Sequence, residues 1–404
     1  MPAGAGKHLY HIKKRKLMEI RRSKKEAMKS ISILVLNYEY PPIGGGAGEV
    51  TQSLCRFFAG KGIGQTIITG WVPGLPWSER TETTTLIRVP MLKFRKDRTS
   101  VLGMASYLLT AFIPMIYILL TRRIDIIHAH FIVPVGILAL IAKKIFGIPY
   151  VVTMHGGDVP GMVPEQTDHL FHWALSMART VAKNADIVTA VSSGLKELAM
   201  KSYSVPVTVI HNGIDAGWIK TDQKDNVDDG LRHLIFVGRL TQQKNVLSLI
   251  RAVGQLNQDH RWQLDILGDG PLMSALQQEA RNLPAVRFHG WLPMAQVKQM
   301  LSDADIFLLP SFAEGLSIAA LQAMARGCAL VVSHIPMNRD VVDVGNNGFF
   351  CGHDPASIAM AIEKCLPDLE RMQQNSLSKA SMFLWDRIGE VYLSYFGKII
   401  AEKP

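Results

Sequence analysis

Apolar residues recur along this chain in short unbroken runs, separated by longer stretches in which they return every three or four positions. The runs Ile31–Asn37, Gly64–Thr69, Thr85–Val89, Ile124–Ala129, Tyr150–Met154, Ile187–Val191 and Val207–Ile210 read as strands. Strands buried on both faces have this character, because no side of them meets water. Glu49–Gly60, Val133–Phe146, Asp168–Asn184 and Gly194–Lys201 lie between them and read as helices. Strand–helix alternation predicts an open, doubly wound parallel sheet covered by helices on both faces.

The pattern then restarts. A polar stretch, Lys220–Gly230, suits a linker or surface loop. New strands are predicted at Leu234–Gly238, Gln263–Leu267, Val286–His289, Ile306–Leu309 and Ala329–Ser333. Helices are predicted at Asn245–Asn257, Pro271–Arg281, Met294–Ser302, Leu316–Arg326 and Pro355–Leu366. Near the end, Trp385, Ile388, Val391, Tyr392 and Tyr395 share one helical face within Met382–Ile399. The expected organisation is a basic extension over 1–30 and a first domain over 31–215, completed by 382–404. A second domain covers 216–381. In open α/β sheets ligands bind at the carboxyl ends of strands, so the informative loops are those that follow strands. Two such domains are expected to face a common crevice.

Val101–Leu120 stands apart as twenty residues without a charge. Its length would suffice to span a bilayer. The run that follows it reads as a strand of the same sheet as the runs before it, and a span would divide that sheet between the two sides. Pro114 is also expected to break its middle. Two readings stay open: a plain core helix, and a helix that packs partly on the sheet and partly on a membrane surface.

Composition adds few constraints. Of 404 residues, 48% are apolar and 19% charged, enough for two sizeable cores. The four cysteines, Cys55, Cys328, Cys351 and Cys365, show no CxxC spacing. A reducing cytoplasmic setting fits them better than a disulfide or zinc framework. The net charge of +10 is uneven: residues 1–30 hold ten Lys/Arg against two Glu. The other 374 residues hold 34 basic and 32 acidic groups. Positive charge therefore describes a leader, and the body shows no nucleic-acid footprint. The leader reads as an arm for anionic lipid or nucleic acid, as a solvated leader, or as a stretch preceding a start at Met28, and it has no apolar run of the secretory kind.

Four loops carry chemistry. Asn37–Val50, NYEYPPIGGGAGEV, follows the first strand, and its glycines at 44, 45, 46 and 48 let backbone N–H groups approach an anion. It matches neither the phosphate loop ending in Gly-Lys-Ser/Thr nor the dinucleotide fingerprint. Thr153–Gly161, TMHGGDVPG, sets His155 and Asp158 beside two glycines at a strand end. Phe236–Asn245, FVGRLTQQKN, places Arg239 and Lys244 around the turn into a helix, a site for a diphosphate. Pro310–Ser333 opens with Glu314, Gly315, Leu316 and Ser317 at a predicted helix start, and Gln322 follows two turns in. A carboxylate is no natural phosphate ligand, so Glu314 and Gln322 are expected to accept hydrogen bonds from neutral hydroxyls. A phosphate site bracketed by hydroxyl-binding groups describes a nucleotide sugar. His128 and His130 share a strand face without further ligands, and Asp303-Ala304-Asp305 precedes a strand, so no metal site is expected.

Taken in order, PPIGGGAG (41–48), HGGD (155–158), HNGID (211–215), GRLTQQK (238–244), LGDGP (267–271) and the Glu314–Gln322 region resemble the retaining glycosyltransferases of family 4, with the two-Rossmann GT-B architecture. The resemblance spans about residues 31–398. It implies that Gly45 and Gly46 approach the donor, and that Arg239 and Lys244 hold its diphosphate. It further implies that Glu314 bonds the donor sugar, position 322 the ribose, and His155 the transferred sugar near the reacting carbon. Asp158 would lie near the acceptor, and the HGWL stretch, with Trp291 and Leu292, would line the base pocket. The last helix would cross back onto the first domain. The family pattern has glutamate at position 322 and often proline at 317, so Gln322 and Ser317 depart from it. Replacing a charge-assisted by a neutral hydrogen bond weakens ribose binding by roughly 1 kcal/mol.

The resemblance implies hexosyl transfer from a nucleoside diphosphate sugar to a saccharide or lipid-linked acceptor, with no cofactor. Fixed cations and a helix N-terminus take up the leaving group's charge. The peripheral inner membrane surface is a candidate location, hinted by the basic and apolar segment 93–123. A rival enzyme class, a nucleotide-sugar epimerase, needs paired acid and base groups that the sequence does not show. A second rival is a non-catalytic subunit, motivated by Gln322.

Overall fold

In the computed structural model, residues 31–92, 101–162, 171–221, 230–256 and 261–403 are described. The basic leader and most of the Lys220–Gly230 stretch lie outside them. Two parallel sheets organise the chain, as the alternation predicts. The first contains β1 (Ser32–Leu36), β2 (Gly64–Trp71), β3 (Ser78–Arg80), β4 (Thr84–Pro90), β5 (Ile126–His130), β6 (Tyr150–Met154), β7 (Ile187–Ala190) and β8 (Thr208–Val209), in the order β3-β4-β2-β1-β5-β6-β7-β8. The second contains β9 (Leu231–Val237), β10 (Arg261–Leu267), β11 (Val286–Gly290), β12 (Ile306–Leu309), β13 (Ala329–Ser333) and β14 (Gly348–Cys351), in the order β11-β10-β9-β12-β13-β14.

The helices are α1 (Gly46–Gly60), α2 (Val101–Thr121), α3 (Val135–Phe146), α4 (Phe171–Asn184), α5 (Ser193–Tyr203), α6 (Val246–Val253), α7 (Met273–Glu279), α8 (Met294–Asp303), α9 (Ile318–Ala325), α10 (Pro355–Cys365), α11 (Leu369–Ala380) and α12 (Trp385–Ala401). Central strands are apolar throughout because both faces are covered: every residue of β5, β6, β12 and β13 is buried. Strand β3 is antiparallel to β4, and its Ser-Glu-Arg side chains are all exposed. A short polar edge of this kind gives no alternation to read.

Two compact units divide the described residues: those within 31–152, 184–187 and 389–403 form one, and those within 153–183 and 188–388 the other. In the first unit, Phe58, Phe396, Tyr392 and His128 pack together around β5, with His128 and His130 rings 4.2 Å apart. Phe58 is fully buried, so truncation to Ala would cost about 3–5 kcal/mol. The C-terminal part of α12 belongs to this unit, tied at its surface by Lys61 Nζ to Glu390 Oε1 at 2.6 Å.

Helix α2 corrects one expectation, because it runs unbroken through Pro114. Proline removes one helical hydrogen bond and crowds the preceding turn. Here Tyr107, Ala111, Met115 and Ile118, all buried, hold both halves of the helix against the unit. Tyr107 Oη also donates to the Ile68 carbonyl at 2.9 Å.

Candidate functional site

In the second unit the site is built on the loop between β9 and α6. The chain leaves β9 through Gly238 and Arg239, then turns through Gln242–Lys244 to Asn245, which has φ of 54°. Three bonds lace this loop to the one after β12. Phe312 N donates to Gln243 O at 2.8 Å. Gln243 Nε2 donates to Ala313 O at 2.8 Å. Lys244 Nζ meets Glu314 Oε1 at 2.6 Å, with 20% and 8% of the two side chains exposed. The sequence named Lys244 and Glu314 separately; the structure joins them, and it adds Gln243, which no motif had singled out.

The head of α9 differs by two residues from the sequence reading. The helix starts at Ile318, and Ser317 is its N-cap, accepting from Ala320 N at 3.3 Å. Serine favours this role over helix interior because its hydroxyl satisfies an otherwise unpaired N–H. Leu316 precedes the cap, and its carbonyl accepts from Asn212 Nδ2 at 3.0 Å. Ser192 Oγ donates to Gly315 O at 2.7 Å. Asn212 belongs to HNGID, so that motif positions the Glu314 loop. Gln322 is buried on α9, as is Glu314 before it.

His155 and Asp158 lie against the same loop. A Cβ at Gly315 would stand 2.0 Å from the His155 carbonyl oxygen, so only glycine permits this approach. Asp158 Oδ1 accepts from His155 N and Gly156 N, both at 3.1 Å, and thereby shapes the turn after β6. Tyr203 Oη holds the Asp158 carbonyl. Desolvation by burial pushes the His155 imidazole down to about 3, so it is neutral near pH 7.

Arg239 is half-buried at the start of its loop. Leu240 N bonds Asp269 O and Gly238 N bonds Leu267 O, both at 3.0 Å, so LGDGP lies beside GRL. At the end of β11, His289 Nε2 lies 2.7 Å from Asp265 Oδ1, while Gln263 Nε2 donates to Asp265 Oδ2 at 2.9 Å. This fixes the HGWL turn. Trp291 beyond it is 77% exposed and Leu292 half-buried.

In the first unit, Gly45 and Gly46 are exposed where α1 begins. Gly44 has φ of 100°, in the region that favours glycine. Gly45 N donates to Glu39 Oε2 at 3.2 Å, so a carboxylate already occupies one amide of the glycine loop. Sequence reading missed Glu39, although a carboxylate five residues before glycines at a helix start is a usable signal.

The Asp303-Ala304-Asp305 stretch ends α8 and enters β12, and Asp305 Oδ2 accepts from His233 N at 2.9 Å. Among the described residues, no group of three His, Cys, Asp or Glu is arranged to hold a metal ion.

Known proteins resemble this chain over most of its length. The family described as "Glycosyltransferase Family 4" matches residues 44–218, and "Glycosyl transferases group 1" matches residues 232–368. The putative teichuronic acid biosynthesis glycosyltransferase TuaC of Bacillus subtilis (strain 168) is 32% identical over 209 residues, 50% of this chain and 51% of that one. Glycogen synthase of Mycobacterium tuberculosis (strain ATCC 25618 / H37Rv) is 28% identical over 403 residues, covering 90% of this chain and 94% of that one. The solved structure of sucrose-phosphate synthase (tll1590) from Thermosynechococcus elongatus superimposes with a TM-score of 0.79 at 19% identity, covering 92% and 99%. That of Anabaena Alr3699/HepE in complex with UDP-glucose gives 0.68 at 18% identity, covering 92% and 99%. With both halves matched by these families and two parallel sheets in the expected order, the chain belongs to the group 1, family 4 glycosyltransferases and has the GT-B fold.

Proposed function

We propose that the protein transfers a hexosyl unit, with retention of anomeric configuration, from a nucleoside diphosphate sugar to an acceptor hydroxyl during synthesis of a cell-surface glycan or glycolipid. The observation that carries this reading is the Lys244–Glu314 contact before the head of α9, with Arg239 five residues earlier on the loop that holds Lys244. It sets cations for a diphosphate beside a carboxylate suited to sugar hydroxyls. The relative solved with UDP-glucose supports a nucleotide-sugar donor.

The hard step is departure of the diphosphate while positive charge grows on the sugar. Arg239 and Lys244 offset the negative charge that develops on the leaving oxygen. Donor binding draws the Lys244 ammonium from Glu314 toward the diphosphate, which leaves Glu314 to accept from the sugar. Neutral His155 sits at the Gly315 contact and serves as a hydrogen-bonding group rather than a cation. Gln322 bonds the ribose. Trp291 and Leu292 flank the base, and Asp158 shapes the turn that meets the acceptor. The chain works on the cytoplasmic face of a membrane, where lipid-linked acceptors are made.

Gln322 favours a second reading, a non-catalytic GT-B subunit, because its amide lacks the charge the family pattern places there. One experiment separates the two. The purified chain is incubated with a panel of nucleotide sugars and simple saccharide acceptors, and nucleoside diphosphate release and product anomers are read by NMR. Turnover giving the donor's own anomer supports transfer with retention. Binding without any turnover supports the subunit reading, and an inverted anomer overturns retention.

A further inference from the structure

Helix α2 is apolar on both faces, and only one face is covered. Tyr107, Ala111, Met115, Ile118 and Leu119 are buried against the unit, where the helix packs on β2, β4 and α3. On the other side Leu102, Leu109, Phe112, Ile113, Tyr117 and Leu120 are exposed, Leu109 and Ile113 at 74% and Leu120 at 71%. At 100° per residue these six span an arc of roughly 140°, opposite the buried set. From Leu102 to Leu120 they extend about 27 Å at 1.5 Å per residue. A soluble helix ordinarily turns polar residues outward. An exposed apolar strip of this length marks an interaction surface.

Charge identifies the occupant. No acidic residue lies between Asp97 and Asp125 in the sequence, and Arg122 and Arg123 follow the helix directly, both exposed. Arg122 Nη1 reaches the Thr66 and Thr85 hydroxyls, and Arg123 Nε pairs with Asp125 Oδ1 at 2.8 Å, yet the Arg123 side chain stays 74% exposed while Asp125 is 10% exposed. An apolar strip ending in exposed cations complements the interfacial region of a bilayer that carries anionic headgroups. The same geometry excludes a span. The buried face is fixed to the sheet through the Tyr107–Ile68 bond, so the helix lies along a surface and does not cross it.

We infer that the exposed face of α2 docks this protein onto an anionic lipid bilayer, with Leu109, Ile113, Tyr117 and Leu120 entering the acyl boundary and Arg122 and Arg123 meeting the headgroups. This deepens the membrane location proposed above. The test uses no nucleotide sugar, so its failure leaves the transfer reading standing.

The full chain is co-sedimented with vesicles of phosphatidylcholine alone and of a phosphatidylcholine–phosphatidylglycerol mixture. Binding to the mixture is expected, weaker by about fivefold for each of Arg122→Gln and Arg123→Gln. Leu109→Gln/Ile113→Gln, at exposed positions, is expected to bind at least about tenfold less while keeping its circular dichroism spectrum and melting temperature. The native thiols are buried, so a polarity-sensitive dye on Tyr117→Cys reports insertion selectively and is expected to shift to the blue on the mixed vesicles. Wild-type protein that stays in the supernatant with both vesicles overturns the inference. So does equal binding by the Leu109/Ile113 variant, or a concentration-dependent dimer that this variant abolishes without any vesicle binding.

Discussion

Lys244→Ala removes an ammonium that pairs with Glu314 and, on the proposed function, offsets the charge of the leaving diphosphate, and the two effects can be measured apart. Without donor, its Nζ lies 2.6 Å from Glu314 Oε1, whose side chain is only 8% exposed. Breaking a buried pair by deleting one partner costs about 3–5 kcal/mol, because the other charge stays desolvated. Lys244 keeps 20% of its side chain exposed, so water replaces part of the loss. We therefore expect about 2 kcal/mol of destabilisation, read as a lower midpoint in urea. Turnover should suffer more, because removing one preorganised group at a developing charge costs about 10²–10³ in kcat. The assay is nucleoside diphosphate release at saturating donor. Lys244→Ala/Glu314→Gln separates the effects: the neutral amide needs no counter-ion, so stability recovers while turnover stays low. Lys244→Ala with near wild-type kcat would refute the leaving-group role. Recovery of turnover in the double variant would also refute it, by showing Lys244 to be only a counter-ion.

Gln322→Glu should tighten nucleotide binding by roughly fivefold, the worth of about 1 kcal/mol, checked by calorimetry with UDP, GDP and ADP. Gly315→Ala should cost about 3 kcal/mol and lower soluble yield, since its Cβ would lie 2.0 Å from the His155 carbonyl oxygen; thermal melts check it. His155 is held neutral, with its pKa down to about 3 from 6.5, so between those values the unfolded chain binds a proton that the native protein does not. Stability should therefore fall as pH drops below about 6.5, with up to about 1.4 kcal/mol per pH unit traceable to this group. His155→Asn should flatten that slope in urea titrations at stepped pH, and an unchanged slope would show that His155 is protonated in the folded protein.

Among the described residues, twelve of the fourteen strands were legible as apolar runs, because parallel strands under two helical layers have no polar face. The two that escaped are β3, polar and at an edge, and β14, whose Gly-Phe-Phe-Cys is too short to distinguish from a loop. Helix α11 escaped for the opposite reason: LERMQQNSLSKA buries only Met372, Ser376 and Ala380, too few apolar positions to mark a face. At the candidate site, Arg239, Lys244 and Glu314 stood out because charged groups after strands are conspicuous, and Gln322 because it is a polar side chain on an otherwise apolar helix. Their supports were not. Gln243, Ser192 and Asn212 act through bonds to backbone carbonyls 70, 123 and 104 residues away in sequence, and no local spacing encodes such pairs. Pro114 misled for a related reason, since tertiary packing of Tyr107 and Met115 outweighs the single bond that proline removes.

On the proposed function, fixed positive charge in the loop after β9 holds a pyrophosphate. The most direct measurement is calorimetric titration of the purified chain and of Arg239→Ala/Lys244→Ala with nucleoside diphosphates. Saturable binding of at least one nucleotide by the wild-type chain, weakened at least about a hundredfold in the double variant, is the predicted result. Equal affinity in the two proteins would contradict it.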